Sequence, residues 1–354
     1  MARAKKQHYV SQSYLKRFTD DNERLWVFDK SIKQSFRTHV KNVASETGFY
    51  DITQETADED ADRQFVEKTL SKIESVFPTV IDDLLRSIDE EQSLDPNWKE
   101  AIAIMLYIQL FRTREARELL IGMAESTDQS LQDLIAKAKI PESSKVEFPV
   151  QFDREKAPLE QAHLMFNREL LDETVQLLNN EYAWTVGVNH MKQPLYTSDN
   201  PVVKDGDPEN LPFFSEIAFP LTPKHILILG YKTVLRDSAN LDCRVVPLNI
   251  KNVTFYNSLQ VFQCYRHIYC PRKTFSFARQ ICNKYPEWCR RDRPRMRKLL
   301  FYKNIESTSD NILSDSIVIM DTPLHPNTEF SPSPYISIKK SPGKWKLDRE
   351  GSSD

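Results

Sequence analysis

One stretch decides the fold: Leu195-Tyr196-Thr197-Ser198-Asp199-Asn200-Pro201-Val202-Val203. Its aromatic and β-branched residues favour extended backbone. The residue before a proline is kept out of the helical region, so Asn200-Pro201 ends regular structure. Asp and Asn side chains bond nearby backbone N–H groups, which suits a turn. The stretch therefore predicts a strand, a polar corner and a second strand, with Ser198, Asp199 and Asn200 together at a strand end.

Helical patterns precede this stretch and strand patterns surround and follow it. Apolar residues recur at helical spacing over residues 63–88, and Pro78 inside that run predicts a kink or two abutting helices. Further helices are predicted over residues 95–123, 158–179 and 249–263. Short β-rich runs lie at residues 25–30, 36–43, 182–188, 194–198, 217–221, 225–231, 245–248 and 263–270. This order predicts an α+β fold in which a helical layer packs on a mostly antiparallel sheet, not alternating βαβ units.

The chain of 354 residues is long enough for one large domain. We expect a single α+β domain over residues 1–303 and a Ser/Pro-rich C-terminal extension, partly ordered, over residues 304–354. Within the domain we expect four parts. They are an N-terminal hairpin at 7–50, a helical part at 63–180, a β-rich part at 182–270 and a basic helical extension at 271–303.

The composition limits which classes of protein and which partners we expect. Hydrophobic residues make up 40% of the chain, enough to bury a core, and the net charge of −3 gives no global attraction to nucleic acid or anionic membrane. No apolar run approaches the roughly 18 residues of a membrane-spanning helix, and the N-terminus lacks the apolar region of a secretory signal. Five cysteines without framework spacing are typical of reduced intracellular thiols. We therefore expect a cytoplasmic protein without a membrane partner; the oligomeric state stays open.

Four sequence pieces in this order resemble a known family. They are Gln7-His8-Tyr9-Val10, Glu67 with Ile73-Glu74, Gln109 with Arg112-Thr113 and Arg117, and Thr197-Ser198-Asp199-Asn200-Pro201-Val202. Over about residues 5–270 the chain resembles the uncharacterised microbial family called domain of unknown function 4238. It departs from that family at Ser11 and Arg114, where the family usually has proline. The resemblance implies the architecture and the candidate residues, and it carries no activity.

The candidate acid–base group is His8, since a histidine beside a carboxylate can act as a general base or metal ligand. The alternative is that Gln7 and His8 bond the backbone and hold the N-terminus in place. Arg112 and Arg117 emerge from an apolar helix, and an arginine there can bind a phosphate or carboxylate with two parallel hydrogen bonds. The alternative for both arginines is a structural ion pair.

Carboxylates supply a candidate metal site. Asp199, with Asn200 and Ser198, offers the oxygen ligands that Mg²⁺ or Mn²⁺ prefers; the alternative is a turn held by the Asp side chain. Glu67 and Glu74 are seven positions apart, which puts both on one helix face. With Asp199 they would form the carboxylate cluster that metal-dependent phosphodiester chemistry needs. The alternative for the two glutamates is a solvated helix face.

The C-terminal third is basic. Arg291 and Arg295 belong to a run flanked by aromatic residues, a composition that can meet the phosphates and bases of nucleic acid; the alternative is a solvated basic helix face. The spacing Cys264-x2-His267-x2-Cys270 does not match a zinc site, so we expect buried thiols here.

These residues support two classes of function. The first is a metal-dependent phosphodiesterase or nuclease, such as a defence or toxin-like effector, in which Asp199, Asn200 and a glutamate hold the metal, His8 is the base and Arg112 stabilises phosphate charge. It requires the polar corner to lie near His8 and Arg112. The second is non-enzymatic: a nucleic-acid- or protein-binding module, or a ligand-sensing regulatory protein. The substrate and the metal, if any, stay open.

Overall fold

The computed structural model describes residues 6–52, 64–91, 96–137, 154–206, 214–235, 238–293, 298–303, 316–321, 340–341 and 344–345. The helices are α1 Gln12–Leu15, α2 Phe65–Glu74, α3 Phe77–Glu91, α4 Lys99–Phe111, α5 Arg114–Lys137, α6 Ala157–Phe166, α7 Arg168–Glu181, α8 Ile250–Gln263 and α9 Ser276–Lys284. The strands are β1 Lys6–His8, β2 Arg24–Asp29, β3 Gln34–His39, β4 Ser45–Thr47, β5 Tyr182–Asn189, β6 Thr197–Ser198, β7 Val203–Asp205, β8 Glu216–Pro220, β9 His225–Tyr231, β10 Arg244–Leu248, β11 His267–Cys270, β12 Lys298–Lys303, β13 Ser316–Asp321, β14 Lys340–Ser341 and β15 Lys344–Trp345.

The predicted α+β class is confirmed, but the strands form separate sheets. A five-stranded sheet has the order β10-β5-β9-β8-β7 and is antiparallel except for the β10–β5 pair. A four-stranded antiparallel sheet has the order β3-β2-β11-β6. The expectation of one shared sheet was therefore wrong: the N-terminal hairpin β2–β3 pairs with β11, β11 pairs with β6, and no other later strand in the described part of the chain belongs to this sheet.

Helix α8 explains this division, because it is buried between the two sheets. Val261 and Phe262 pack with residues of the four-stranded sheet and α9. Phe255 and Leu259 pack with residues of the five-stranded sheet. A helix that is covered on nearly all sides keeps two sheets apart while giving both an apolar surface to cover. Asn249 begins the helix with a capping box, in which its side chain and that of Asn252 bond each other's backbone.

Helices α2, α3, α4, α6 and α7 form the helical layer over one face of the five-stranded sheet. Their apolar side chains share the largest core cluster with strand residues such as Trp184 and Leu229. Pro78 lies in the first turn of α3, directly after the break from α2, so the prediction of two abutting helices is confirmed. None of the described helices is both long and apolar enough to cross a membrane.

The predicted helix over residues 95–123 is interrupted, and the interruption builds part of the site. Helix α4 ends at Phe111 and α5 begins at Arg114. The Gln161 amide donates to the Phe111 carbonyl at 2.6 Å and to the Thr113 carbonyl at 3.0 Å. Thr113 Oγ1 accepts from the Ala116 N–H at 3.1 Å. These side chains satisfy groups that a continuous helix would pair internally, so the break costs little.

Two other helix expectations needed correction. The predicted helix over residues 158–179 is divided at Asn167, whose side chain accepts from the Leu170 N–H at 2.9 Å and starts α7. The basic extension was expected to be helical to residue 303, but β12 occupies Lys298–Lys303 and pairs with β13. Leucine, phenylalanine and tyrosine in that segment favour a strand once a partner strand is present.

Candidate functional site

The N-terminal strand β1 is fixed by the side chain of Gln7. Gln7 is buried; its amide nitrogen donates to Asp51 Oδ1 at 2.7 Å, and its amide oxygen accepts from the Tyr50 N–H at 2.5 Å. Backbone pairing with β4 holds the same strand from the other side. Gln7 therefore fixes the position of the next residue, His8.

Arg112 contacts both His8 and α2. Its guanidinium is fully buried, donates to the His8 carbonyl at 2.6 Å and pairs with Glu74 Oε1 at 2.5 Å. Burial opposes the charge of Arg112, but Glu74 and Tyr50 outweigh it and hold the pKa above its ordinary value. Arg112 is therefore a charged connection between β1 and α2, and both terminal nitrogens of its guanidinium are engaged by protein groups.

A polar pocket opens in front of His8, between the α1 segment and α2. Its volume is about 350 Å³, within the range of small-molecule sites. Its lining is mostly polar: His8, Ser11, Gln12, Ser13, Glu67, Leu70, Ser71, Glu74 and Ser75. We call this the His8 pocket. Both glutamates predicted to share a helix face line it, and Ser71 lies on the same face at the intervening turn.

The His8 ring has one nitrogen without a partner. Nε2 is buried and makes no hydrogen bond in the described part of the chain, whereas Nδ1 lies 3.5 Å from the Gln12 amide nitrogen. Burial lowers the pKa of His8 below 6.5, with the charges of Lys6 and Arg112 adding to the effect and the Lys41 carbonyl and Glu74 opposing it. Burial therefore favours the neutral imidazole, which donates a hydrogen bond from one ring nitrogen and accepts one at the other.

Asp199 does not line this pocket. Its carboxylate is fully buried and accepts three backbone hydrogen bonds, from Tyr265 at 2.8 Å, Arg266 at 2.9 Å and His267 at 2.8 Å. Burial raises the pKa of Asp199, while the nearby His267 and these N–H groups oppose the rise. Asp199 thus holds the turn that links α8 to β11, as an Asp in a turn does.

The neighbours of Asp199 also bond protein groups. Ser198 Oγ donates to Gln260 Oε1 at 2.6 Å. The Asn200 amide nitrogen donates to the Gln263 carbonyl at 3.0 Å, and its oxygen accepts from Thr113 Oγ1 at 3.1 Å. The polar corner therefore packs against α8 and touches the α4–α5 break beside Arg112. The corner meets the helix end, as the phosphodiesterase hypothesis required, but its carboxylate bonds residues 265–267 and is not among the groups that line the His8 pocket.

The predicted metal ligands are consequently divided between two places. Glu67 and Glu74 line the His8 pocket, and Asp199 holds the α8–β11 turn. Over the described ranges, no group of three or more His, Cys, Asp or Glu side chains is arranged to hold a metal ion. A site built entirely from protein ligands, such as a zinc site, has no candidate there.

Arg117 makes a contact that the sequence did not indicate. Its guanidinium carbon lies 3.7 Å from the centre of the Phe49 ring, a cation–π distance, and its Nε donates to Gln161 Oε1 at 2.8 Å. Burial lowers the pKa of Arg117 to about 10. Arg117 thus ties α5 to the loop after β4, away from the residues that line the His8 pocket.

The basic residues of the C-terminal third do not share one exposed surface in the described part of the chain. Arg291 is exposed in a turn, and Arg295 lies outside the described residues. Arg293, which sequence reasoning passed over, is buried and donates to Glu115 Oε1 at 2.7 Å and to the Cys264 carbonyl at 3.2 Å. Sequence reasoning also missed the pocket serines on α2, although Glu67, Ser71 and Glu74 follow the i, i+4, i+7 spacing of one helix face.

Comparison with known proteins agrees with the resemblance seen in the motifs. Neither the search of curated proteins nor that of solved structures returned a match. A family model matches residues 6–274, which contain β1, the His8 pocket, the polar corner and β11. The chain belongs to the family described as "Protein of unknown function (DUF4238)".

Proposed function

We propose that the protein binds a small polar molecule in the His8 pocket. One observation carries this proposal: His8 lines the pocket while its Nε2 is buried and makes no hydrogen bond in the described part of the chain. A buried polar atom without a partner costs free energy that a hydrogen bond from a ligand recovers. The volume of about 350 Å³ suits a molecule of metabolite size.

The lining indicates the chemistry of the ligand. Glu67 and Glu74 accept hydrogen bonds, and the serine hydroxyls and Gln12 both donate and accept. A ligand rich in hydroxyl or amino groups can therefore form hydrogen bonds with several of these side chains at once. A bare anion meets two carboxylates, since the guanidinium of Arg112 is already bound to Glu74 and the His8 carbonyl. The favoured ligand is therefore neutral or cationic, and the protein is then a sensor, or an enzyme if His8 transfers a proton.

A metal-dependent phosphodiesterase is the second candidate, and one observation favours it. Glu67, Glu74 and His8 line one pocket, and Mg²⁺ is usually held by one or two carboxylates together with waters and substrate phosphates. In this case the cation would offset the repulsion between phosphate and the glutamates, His8 would be the base, and Arg112 would orient Glu74. Asp199 has no part in this version of the site.

Calorimetry separates ligand binding from its absence. Purified protein is titrated with adenosine, glucose, spermidine and AMP, each with and without Mg²⁺. We expect saturable heat with at least one neutral or cationic probe, and its loss in His8→Ala and Glu67→Gln. Glu173→Gln is the matched control, because Glu173 is exposed on α7, outside the pocket. A ligand present at 100 times its Kd also stabilises the fold by about 2.7 kcal/mol, which a thermal melt detects. Heats that are identical in wild type and both pocket variants would refute the assignment.

A cleavage assay decides between the two candidates. Wild type, His8→Ala, Glu67→Gln and Glu173→Gln are incubated with RNA, single-stranded DNA and duplex DNA, with Mg²⁺, Mn²⁺ or EDTA. Cleavage that needs the metal and is lost in the two pocket variants would establish the phosphodiesterase. Ligand binding without cleavage under any condition would leave the sensor, or an enzyme acting on another substrate.

A further inference from the structure

Two cysteines beyond the matched family region lie side by side. Cys282 is in the last turns of α9, and Cys289 ends the short 3-10 helix Pro286–Cys289. They are seven positions apart, and both side chains are buried in the cluster around Phe262 and Phe275. The family match ends at residue 274, so neither thiol belongs to the shared part of the chain.

The contacts of these thiols bring the two residues together. Cys289 Sγ lies 3.9 Å from the Cys282 carbonyl oxygen and 3.8 Å from the Tyr285 carbonyl oxygen. The Cys289 side chain is therefore packed against the backbone of Cys282, so a disulfide between the two residues needs only a small rearrangement of the segment that joins them. Both are free thiols in this structure.

The surroundings shift the pKa values of the two thiols in opposite directions. Interaction with the Cys282 thiol lowers the pKa of Cys289; burial opposes this, and the positive charges of Lys30, Lys33 and Arg293 add to the lowering. The same interaction and burial raise the pKa of Cys282. The thiolate is the reactive form of cysteine, and Cys289 is also the more exposed of the two side chains, at 5% against 0% for Cys282. We therefore assign Cys289 as the nucleophile and Cys282 as the thiol that resolves its oxidised form.

The other cysteines lack this combination. Burial raises the pKa of Cys264 to about 12 and also raises the pKa of Cys270. Cys270 Sγ lies 3.4 Å from Thr274 Oγ1, a hydroxyl and not a thiol. Cys243 is less buried, and its pKa is raised as well. They serve as internal controls for any reaction at the pair.

We propose that Cys282 and Cys289 are a redox-active dithiol that hydrogen peroxide converts to an intramolecular disulfide. The Cys289 thiolate attacks one peroxide oxygen, the O–O bond breaks, hydroxide leaves and a sulfenic acid forms. The Cys282 sulfur then attacks the oxidised sulfur, the S–S bond forms, the S–O bond breaks and the thiol proton leaves with the departing oxygen as water. Two thiols lose two electrons in total, and one peroxide becomes two waters.

The disulfide would close a loop that contains Tyr285 and Trp288. Both rings pack on Phe262 of α8, with ring centres 5.6 Å and 5.7 Å apart respectively. Oxidation would therefore tie the end of α9 to the segment that leads to Arg293, whose guanidinium reaches Glu115 on α5. This site is independent of the His8 pocket, and its test does not depend on the function proposed there.

Mass spectrometry of the full chain tests the proposal. Reduced protein is treated with a small excess of hydrogen peroxide, and we expect a loss of about 2 Da, the mass of two hydrogen atoms, with Cys282 and Cys289 in one linked peptide. Cys282→Ser should stop at the sulfenic acid, a gain of about 16 Da that dimedone traps. Cys289→Ser should react much more slowly, and Cys270→Ser should form the disulfide like wild type.

The same experiment in urea provides the structural control. Unfolded chains should link Cys264–Cys270 about as often as Cys282–Cys289, because loop closure then favours both short loops and the contacts that select one pair are lost. A folded wild type that gains oxygen without the loss of two hydrogens, that links another pair, or that reacts with peroxide no faster than a Cys282→Ser/Cys289→Ser double variant would overturn the proposal.

Discussion

Replacing Asp199 with alanine tests whether the polar corner is architecture or active site. The carboxylate accepts three backbone N–H groups at 2.8 to 2.9 Å in a fully buried position. Hydrogen bonds to a charged group contribute about 1.5–3 kcal/mol each, so three give about 4.5–9 kcal/mol. Removing the carboxylate also removes its desolvation penalty of several kcal/mol. We expect a net loss of about 2–5 kcal/mol in the free energy of unfolding.

Urea unfolding followed by circular dichroism measures this loss. The slope increases with chain length, so we take about 2–3 kcal/mol per molar urea, and the midpoint of Asp199→Ala should fall by about 0.7–2.5 M. Asp172→Ala is the control, because the Asp172 side chain on α7 is 62% exposed and pairs with Arg168 only at 3.8 Å; it should change stability by less than about 0.5 kcal/mol. An Asp199→Ala protein with an unchanged midpoint but no ligand binding or cleavage would refute the reasoning and return Asp199 to the reacting centre.

Three further predictions concern the residues around the site and the core. Arg112→Leu should destabilise the fold by about 3–5 kcal/mol in urea unfolding, because it leaves Glu74 and the His8 carbonyl without their cation; Arg112→Lys should cost less. The pKa of His8 is below 6.5 in the folded state, so the unfolded chain binds its proton first as pH falls. The free energy of unfolding should therefore fall as pH drops through the window just below 6.5, and His8→Gln should flatten that part of the profile. Gly187→Ala should cost about 1–3 kcal/mol, because a Cβ there meets Leu248 at 2.6 Å. Gly122→Ala on α5, where nothing lies within 4 Å, should instead stabilise by up to about 1 kcal/mol in the same assay.

Local patterns in the sequence were sufficient to predict those parts of the structure that depend only on neighbouring residues. The strand–corner–strand at residues 195–203 and the two helices around Pro78 were predicted from short-range sterics, and the structure has both. The spacing of Glu67 and Glu74 placed them on one face, and both line the pocket. Each of these features is decided within about two helical turns of chain.

Long-range partners were not predictable by the same means. An Asp in a turn signals that it accepts N–H groups, but the groups Asp199 accepts from belong to residues 265–267, more than sixty positions away. The sequence allowed two roles for Arg112, binding an anionic ligand or forming a structural ion pair, because the choice depends on whether α2 packs against it. The sequence pattern describes what a side chain can bond, whereas tertiary packing decides which partner it meets.

The break between α4 and α5 shows why the site depends on such a partner. Arg112 bonds His8 and Glu74, and the next residue, Thr113, bonds Asn200 of the polar corner. The break is held by Gln161 from α6, nearly fifty positions later, through the carbonyls on either side of Arg112. Arg112 and Thr113 therefore join the N-terminal motif to the corner motif at one point. The corner supports the α4–α5 break, the break orients Arg112, and Arg112 holds His8 and Glu74 at the pocket. A substitution in the corner should therefore both lower the stability of the fold and displace the side chains that line the pocket.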